Sequence, residues 1–346
     1  MFPKCIRASS SKQPELDFHK IDVILQIMVT IKHSTGTFCI GLILIDGFAL
    51  MSYSSIVEPL RAANLLSRRA YYDIKYIPVT GSCANSSNGT SVKATGRIGQ
   101  EGTFDLVLVV AGGDPASFKD TKLFRWLRTL SRRGVDLGGV SGGPVILASA
   151  GVMEGRRMTV HWEHAAALAE SRVGLLIERS LYVIDRDRFT CAGGIAPLDM
   201  MHALLSEHHG PAFARRVSDW FMHTDVRSAS GPQRAGLVER YGTNNPPVIM
   251  AIEAMENHIS DPLELTQLAQ LSEISPRQLN RLFRSKMEQS TMNFYCKLRL
   301  EKARELLKQS TLTITEIALA NGFASSAHFA HSFRRTFGST PSSLRQ

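Results

Sequence analysis

TITEIALANGFASSAHFAHSFRRTFGSTP, residues Thr313–Pro341, is the stretch that decides how the chain is organised. Thr313 and Glu316 have the spacing of a capping box, in which each side chain satisfies a backbone N–H at a helix start. The pair Asn321-Gly322 ends that helix, because both residues tolerate a positive φ. The stretch therefore predicts two short helices joined by a tight turn.

The second of these helices, which Ser325 or Ser326 can cap, is predicted to have one apolar and one polar face. Phe329, Phe333 and Phe337 recur every four residues and so form a buried stripe. The polar face carries Ser326, His328, His331, Arg334 and Arg335. A helix with a basic, hydrogen-bonding face suits the DNA major groove. An ordinary surface hairpin of helices would show the same pattern, so this stretch alone leaves both interpretations open.

A second copy of the pattern lies upstream in Leu263–Thr291, LELTQLAQLSEISPRQLNRLFRSKMEQST. Ser275 and Phe283 are each 50 residues before Ser325 and Phe333. The predicted polar face of its second helix consists of Arg277, Gln278, Asn280, Arg281 and Arg284. A repeat favours the DNA-reading interpretation more strongly than a single motif does, because each copy is one structural unit.

The signals that start helices repeat as well. Asp261–Glu264 and Ser275–Gln278 each supply a cap, a first-turn proline and a polar partner, with Asp261 and Ser275 as the caps. We therefore expect both copies to begin their helices in the same way.

Between the copies, Thr291–Gln309 lacks proline and glycine and predicts one amphipathic helix. The sequence thus predicts an all-α domain over residues 248–346. Its helix-turn-helix units are expected at about 263–286 and 313–337, joined by that helix.

This region resembles the DNA-binding domain of AraC/XylS-type transcriptional regulators. The resemblance is carried by 299–304 (RLEKAR), Leu306-Leu307, Ile317-Ala318, Gly322-Phe323, His328-Phe329, 333–335 (FRR), Phe337-Gly338, Pro341 and Arg345. It implies a transcription factor, with activation and contact with RNA polymerase as the expected mode. The chain departs from the family at Glu288 and Thr291, where a glycine and a proline usually close the first unit. The turn there is expected to be less tightly defined, whereas Gly338 and Pro341 keep both residues in the second unit.

Charge is concentrated in the same region. The whole chain carries a net charge of +9, and residues 274–346 hold twelve lysines and arginines against four acids. A basic surface raises affinity for DNA through counterion release. Two recognition helices on one rigid link are expected to enter adjacent major-groove segments about 34 Å apart.

Composition narrows the class of protein. A chain of 346 residues has room for two or three domains. Its five cysteines are scattered without metal-ligand or redox spacing, so we expect a reduced cytoplasm, no metal and no cofactor. No apolar run approaches the ~20 residues of a membrane span. Residues 1–34 are expected to be a weakly structured extension, and Met28 is a second candidate for the translation start.

Strand and helix patterns alternate over residues 35–227. Strands are predicted at Phe38–Ile45, Tyr72–Val79, Phe104–Ala111 and Val135–Val140, with a hairpin of Tyr182–Ile184 and Phe189–Cys191. Helices are predicted at 55–67, 115–133, 145–150 and 198–208. This alternation predicts a three-layer α/β domain, flavodoxin-like, with a mostly parallel sheet. Ligands bind such sheets at the carboxyl ends of strands, which makes Gly112, Gly113 and Ser141–Gly143 the candidate pocket rim.

The segment 139–143, GVSGG, matches the G-x-S-x-G nucleophile elbow of hydrolases, and His161 is a candidate base twenty residues downstream. Residues 141–162 also resemble the elbow region of the class I glutamine-amidotransferase-like, PfpI-peptidase superfamily. Enzymes of that superfamily use a cysteine and an acidic partner, where this chain has Ser141 and 48–51 (FALM). A serine without an adjacent base is a poor nucleophile. The pattern favours a binding pocket, and a hydrolase or lyase with a DNA-binding appendage stays as the alternative.

The resemblance is closest to regulators that combine these two domains and respond to quaternary amines such as glycine betaine or carnitine. The supporting stretches are 138–144, 161–164 (HWEH), 182–187, 191–194 and 198–201. Such a cation needs aromatic faces and an acid, for which Phe48, Tyr53, Trp162 and Glu163 are the candidates. An attached carboxylate needs backbone N–H groups, which Gly142 and Gly143 could offer. Core packing for the aromatic residues and a structural role for His161 stay open.

Residues 228–247, SASGPQRAGLVERYGTNNPP, are predicted to be a linker, with extended chain at 244–247. The superfamily resemblance implies pairing through the α/β domain, so a homodimer is expected. The expected partners are thus double-stranded DNA, a small-molecule effector, RNA polymerase and a second copy of the chain, with no membrane.

Overall fold

A computed structural model describes residues 36–100, 102–310 and 312–345. The predicted extension 1–34, including Met28, lies outside the described residues. Within them, an α/β part precedes a helical part, as the sequence predicts.

A six-stranded sheet forms the centre of the α/β domain. The strands of the described residues are β1 (Phe38–Leu44), β2 (Tyr72–Pro78), β3 (Cys83–Asn85), β4 (Ser91–Lys93), β5 (Leu106–Ala111), β6 (Asp136–Ser141), β7 (Arg157–Met158), β8 (Leu176–Ile177), β9 (Tyr182–Asp185) and β10 (Arg188–Cys191). The sheet has the order β2-β1-β5-β6-β10-β9, and only β9 runs antiparallel to its neighbour. Its five parallel strands therefore follow the flavodoxin-like order.

Helices cover both faces of this sheet. They are α1 (Leu50–Ser67), α2 (Thr121–Arg132), α3 (Gly143–Ser149), α4 (Trp162–Ser171), α5 (Ala196–His209) and α6 (Pro211–Trp220). Helices α1, α5 and α6 pack together, whereas α2 and α3 share a separate core with the other side of the strands. Every residue of β5 is buried, as expected for a parallel strand covered on both faces.

Several predicted boundaries were wrong. The helix expected from Pro115 begins at Thr121, because Asp120 Oδ1 accepts a hydrogen bond from Leu123 N at 2.7 Å and so caps it there. Asp114 instead holds a turn, since its carbonyl oxygen accepts from Ser117 Oγ at 2.9 Å. The first helix begins at Leu50 rather than residue 55. Helices α4 and α6 and the β3-β4 hairpin were not predicted.

The described residues of the C-terminal part form eight helices. They are α7 (Leu237–Tyr241), α8 (Pro246–Asn257), α9 (Leu265–Leu271), α10 (Pro276–Met287), α11 (Thr291–Gln309), α12 (Ile314–Ala320), α13 (Ser326–Phe337) and α14 (Pro341–Leu344). Helices α9 and α10 form the first helix-turn-helix unit and α12 and α13 the second. Helix α11 supports both, since its Phe294 and Tyr295 belong to the core of the first unit and its Leu300 and Ala303 to the core of the second.

Three of the four predicted helix starts in these units are confirmed. Ser275 and Thr313 cap α10 and α12 through capping boxes, and Ser325 caps α13 by accepting from His328 N. The prediction of Asp261 as a cap was wrong. Glu264 is the cap of α9, and its N–H donates to Gln267 Oε1 at 2.8 Å.

The predicted linker contains regular structure. Helix α7 lies within it, and 246–247 open α8 instead of staying extended. Proline is compatible with a first helical turn, and Asn245 Oδ1 caps α8 by accepting from Val248 N at 3.3 Å. In the described ranges, no helix combines the length and the apolar character that crossing a membrane requires.

Candidate nucleic-acid interface and effector pocket

Recognition helices α10 and α13 each bury one face and expose the other. Leu279 and Phe283 of α10 and Phe329 and Phe333 of α13 are fully buried. Nine of the ten predicted DNA-reading side chains are exposed: Arg277, Gln278, Arg281, Arg284, Ser326, His328, His331, Arg334 and Arg335. The tenth, Asn280, is half-buried.

The arginines of the recognition helices carry uncompensated charge. Within the described residues, Arg277, Arg281, Arg284, Arg334 and Arg335 form no ion pair with an acid. On α11, by contrast, two lysines pair with glutamates of their own helix. The free guanidinium groups therefore make the recognition faces the places where phosphate and guanine acceptors would be attracted.

Two predicted base-reading side chains already have partners within the protein. Asn280 Oδ1 accepts from Thr291 N at 3.1 Å, and Gln278 Oε1 accepts from Ser275 N at 3.0 Å and from Ser275 Oγ at 2.9 Å. A bidentate contact with adenine needs both ends of the carboxamide. In this conformation the carboxamide oxygens of Asn280 and Gln278 are bonded at the starts of α11 and α10. Neither side chain therefore offers both ends of its carboxamide to a base.

Helix α11 is tied to both units by two side chains one turn apart, and sequence reasoning missed these ties. The hydroxyl of Tyr295 donates to His258 O, at the end of α8, which shares the core of the first unit, and it also accepts from Leu263 N, just before α9, at 3.4 Å. Arg299 Nε donates to Asn321 O at 2.8 Å in the turn of the second unit. Its guanidinium carbon also lies 4.3 Å from the ring centroid of Phe323. Burial lowers the pKa of Arg299 and raises that of Tyr295.

The turns of the two units have matching backbone conformations. Glu273 (φ 57°) lies 49 residues before Gly322 (φ 69°), and Glu288 (φ 57°) lies 50 residues before Gly338 (φ 73°). The looser turn expected at Glu288 is not observed, because this glutamate adopts the left-handed conformation that glycine would favour. Thr291, in place of proline, supplies the N–H that Asn280 accepts.

At the carboxyl edge of the sheet, several loops meet closely. Ser141 has a positive φ of 60°, the strained conformation of an elbow. A Cβ on Gly193 would lie 2.7 Å from Ser141 Cβ, and one on Gly112 would lie 2.7 Å from Gly47 O. The ends of β1, β5, β6 and β10 therefore converge here, which brings Gly112 and Ser141 to one edge as predicted.

The backbone N–H groups at this edge are less available than the sequence indicates. Gly142 N donates to Ala111 O at 3.2 Å, so the expected offer of this N–H to a ligand carboxylate was wrong. Gly143 is buried, and a Cβ there would lie 2.0 Å from Val109 O. Gly143 is thus required by packing against β5, whereas Gly113 is exposed with a φ of 60°.

Among the described residues, no nucleophile–base pair is formed at the elbow. Ser141 Oγ makes no hydrogen bond to any described residue, and His161 Nδ1 accepts from Glu163 N at 3.4 Å as the cap of α4. Burial, followed by the neighbouring His164, lowers the pKa of His161. On the strand beside β6, Cys191 is fully buried and burial raises its pKa to about 12, so it does not supply a thiolate in place of Ser141.

The aromatic candidates divide into core and surface residues. Phe48 is fully buried and lies 5.3 Å from Tyr53 between ring centroids, so both pack in the domain. Trp162 is half-buried, and the guanidinium carbon of Arg234 lies 4.3 Å from its ring centroid. The indole face expected for the effector cation is therefore already covered by an arginine that the sequence analysis did not single out.

The segment before Arg234 is also bound to the α/β domain. Gln233 Nε2 lies within hydrogen-bond distance of Thr159 Oγ1 (3.0 Å), Val160 O (3.1 Å) and Ser180 O (2.7 Å). Ala229 O accepts from Leu181 N at 2.8 Å. Residues 228–234, hereafter the docked segment, are thus not a free linker.

Comparison with known proteins decides the family. The DJ-1/PfpI family profile matches residues 40–207 and a helix-turn-helix domain profile matches 268–346. Over 89% of its length the chain is 46% identical to the HTH-type transcriptional regulator GlxA of Rhizobium meliloti (strain 1021), of which it covers 95%. The chain belongs to the AraC-type transcriptional regulators.

Two further transcriptional regulators match over a similar share of the chain. The chain is 40% identical over 88% of its length to the HTH-type transcriptional regulator CdhR of Pseudomonas aeruginosa, covering 90% of it. It is 36% identical over 89% of its length to GbdR of the same species, covering 84% of that regulator. This AraC-type regulator is accordingly a DNA-binding transcription factor with a DJ-1/PfpI-type domain before its helix-turn-helix domain.

Proposed function

We propose that this regulator reads two adjacent major-groove segments with α10 and α13 while its α/β domain senses a small cationic metabolite. The observation that supports the first part best is the double tie of α11 to both units through Tyr295 and Arg299. With 19 residues, α11 is about 28 Å long, comparable to the ~34 Å between successive major-groove segments.

Roles follow from exposure and charge. Arg281, exposed in the middle of α10, and Arg334, exposed in the last turn of α13, are proposed to read bases. Arg277, Arg284 and Arg335 are proposed to bind phosphate. Ser326, His328 and His331 offer further donors and acceptors to base edges, whereas Asn280 and Gln278 act mainly by holding α11 and α10 in place.

For the sensor, a quaternary amine such as glycine betaine or carnitine is the proposed effector class. Trp162 supports this, because its indole face accommodates a guanidinium in the structure and cations favour such faces. Glu163 is an exposed carboxylate next to it, and Gly112, Gly113, Ser141 and His161 complete the proposed rim. The domain is proposed to bind its ligand without transforming it, since Ser141 lacks a base bonded to its hydroxyl.

A second candidate function is hydrolysis at Ser141, favoured by the elbow conformation at φ 60°. Ser141→Ala separates the two. Loss of turnover on ester or amide substrates would support an enzyme, whereas an unchanged transcriptional response would show that catalysis is not needed.

Genome-wide footprinting of the full chain, with and without glycine betaine or carnitine, tests the main proposal. Protected sites should contain two half-sites about one helical turn apart, and occupancy or transcription should change with the amine. Occupied sites with no response to either amine would reject the effector class but not the proposed recognition of DNA by α10 and α13. Activation through RNA polymerase, pairing as a homodimer and action in the cytoplasm belong to the same proposal. So does a domain division between the docked segment and α7.

A further inference from the structure

The connection between the two domains is short. The docked segment is held on the α/β domain through Gln233, while Tyr241 of α7 donates to Glu256 Oε1 of α8 at 3.0 Å and Arg240 pairs with the same carboxylate. Only residues 235–236, both exposed, lie between the docked segment and α7. A change in the docked segment therefore reaches the DNA-binding domain through two residues.

Helix α4 makes the second connection. The ring of its N-terminal residue Trp162 contacts Arg234, and five residues further on Ala167 is buried in the same apolar cluster as Leu300 and Ala303 of α11. The indole that contacts the docked segment and the alanine that packs with α11 thus belong to one ten-residue helix. These two connections meet at Trp162.

We propose that Arg234 is an internal occupant of the effector's cation site on Trp162, and that effector binding exchanges this guanidinium for the ligand's ammonium group. The proposal rests on the proposed effector class and names how its site is regulated. Exchange removes one of the two side chains that hold the docked segment, which loosens 228–236 and changes the restraint on α7 and α8.

Competition follows from the geometry. At 4.3 Å from the ring centroid, the guanidinium covers the indole face, so a second cation cannot occupy that face at the same time. Arg234 is itself exposed and largely hydrated, so its release mainly sacrifices the contact with the indole face. Gln233 also favours release of the docked segment, because its Oε1 is buried without a hydrogen-bond donor among the described residues. The docked segment is therefore not fully hydrogen-bonded in the docked state, which favours its release.

Calorimetry with glycine betaine and with tetramethylammonium chloride tests the exchange in the full-length protein. Arg234→Ala should bind both probes about 2- to 5-fold more tightly than wild type, because the internal competitor is gone. The matched control is Arg216→Ala, which removes an arginine 5.8 Å from the Phe213 ring elsewhere in the same domain and should leave both affinities unchanged. Trp162→Ala should lose binding in the wild-type and Arg234→Ala backgrounds alike.

Hydrogen–deuterium exchange supplies a second readout. Glycine betaine should speed exchange of the backbone amides in 228–236 in wild type, and Arg234→Ala should show that speed without ligand. Tight binding with equal affinity in wild type and Arg234→Ala would overturn the proposed displacement of Arg234 by the ligand but keep the effector class. Absence of binding to every variant would overturn the effector class itself.

Discussion

Arg299 of α11 donates a hydrogen bond from Nε to the carbonyl oxygen of Asn321, 2.8 Å away, in the turn of the second helix-turn-helix unit. Four residues earlier on the same helix, Tyr295 bonds to His258 at the end of α8. Side chains of α11, and not the chain connection alone, therefore hold the two helix-turn-helix units in place. Because the second turn depends on a charged donor, loss of Arg299 has consequences that can be measured.

Arg299→Ala should weaken both the fold of the second unit and the binding of two-segment operators. Hydrogen bonds from a charged group contribute about 1.5–3 kcal/mol, so we expect the free energy of unfolding to fall by about 2 kcal/mol. Binding should fall more on a site with both half-sites than on one with the first half-site only. Arg299→Lys is the control, since it keeps the charge but loses the planar fork and should be intermediate. Equal losses on both kinds of site would argue against a coupling role.

Arg281→Ala and Arg334→Ala should each weaken operator binding by about 1–3 kcal/mol if they read bases, and should relax specificity at one position of their half-site. Gel-shift titrations against operators with single base changes, repeated at several salt concentrations, measure both effects. Lys297→Ala is the matched control, because Lys297 lies on α11, outside the two recognition helices, and pairs with Glu301. A uniform loss over all base changes would assign the arginine to phosphate.

The turn after the first recognition helix should be stabilised by Glu288→Gly. A residue other than glycine pays about 1–2 kcal/mol in the left-handed conformation, and Glu288 has a φ of 57°. Part of that gain is offset by the greater entropy of glycine in the unfolded chain, so we expect about 0.5–1 kcal/mol. Thermal and urea unfolding measure it. Glu288→Ala, which keeps a Cβ, should show no gain, and an equal gain there would point to charge instead of backbone conformation.

The sequence predicted those features that depend on neighbouring residues. Capping boxes at Ser275 and Thr313 follow from spacings of three residues, and the parallel sheet follows from alternating apolar runs. It did not predict the contacts of Gln233 and Arg234, because they join residues more than 50 positions apart through side chains that are equally common in free linkers. Asp261 and Glu264 illustrate the limit, since both suit a cap and the hydrogen bond from Leu263 N to the Tyr295 hydroxyl joins residues 32 positions apart.

The stability of the α/β domain should fall on acidification partly through His161. Burial lowers its pKa, so the unfolded chain binds the proton more readily than the folded one does. The contribution is therefore present above the unfolded pKa of about 6.5 and is lost as pH falls below it towards the folded value. His161→Asn should flatten the loss between about pH 7.5 and about pH 5.5. Asparagine does not titrate, yet its side chain can still cap α4.

Urea unfolding of both proteins at the two pH values measures the difference. His202, whose pKa burial also lowers, should leave some pH dependence in the variant, and His202→Asn serves as the comparison at a second site. If His161→Asn loses as much stability on acidification as wild type does, His161 is not held neutral by the fold. Its place at the start of α4, next to the indole that carries Arg234, would then have to be explained by capping alone.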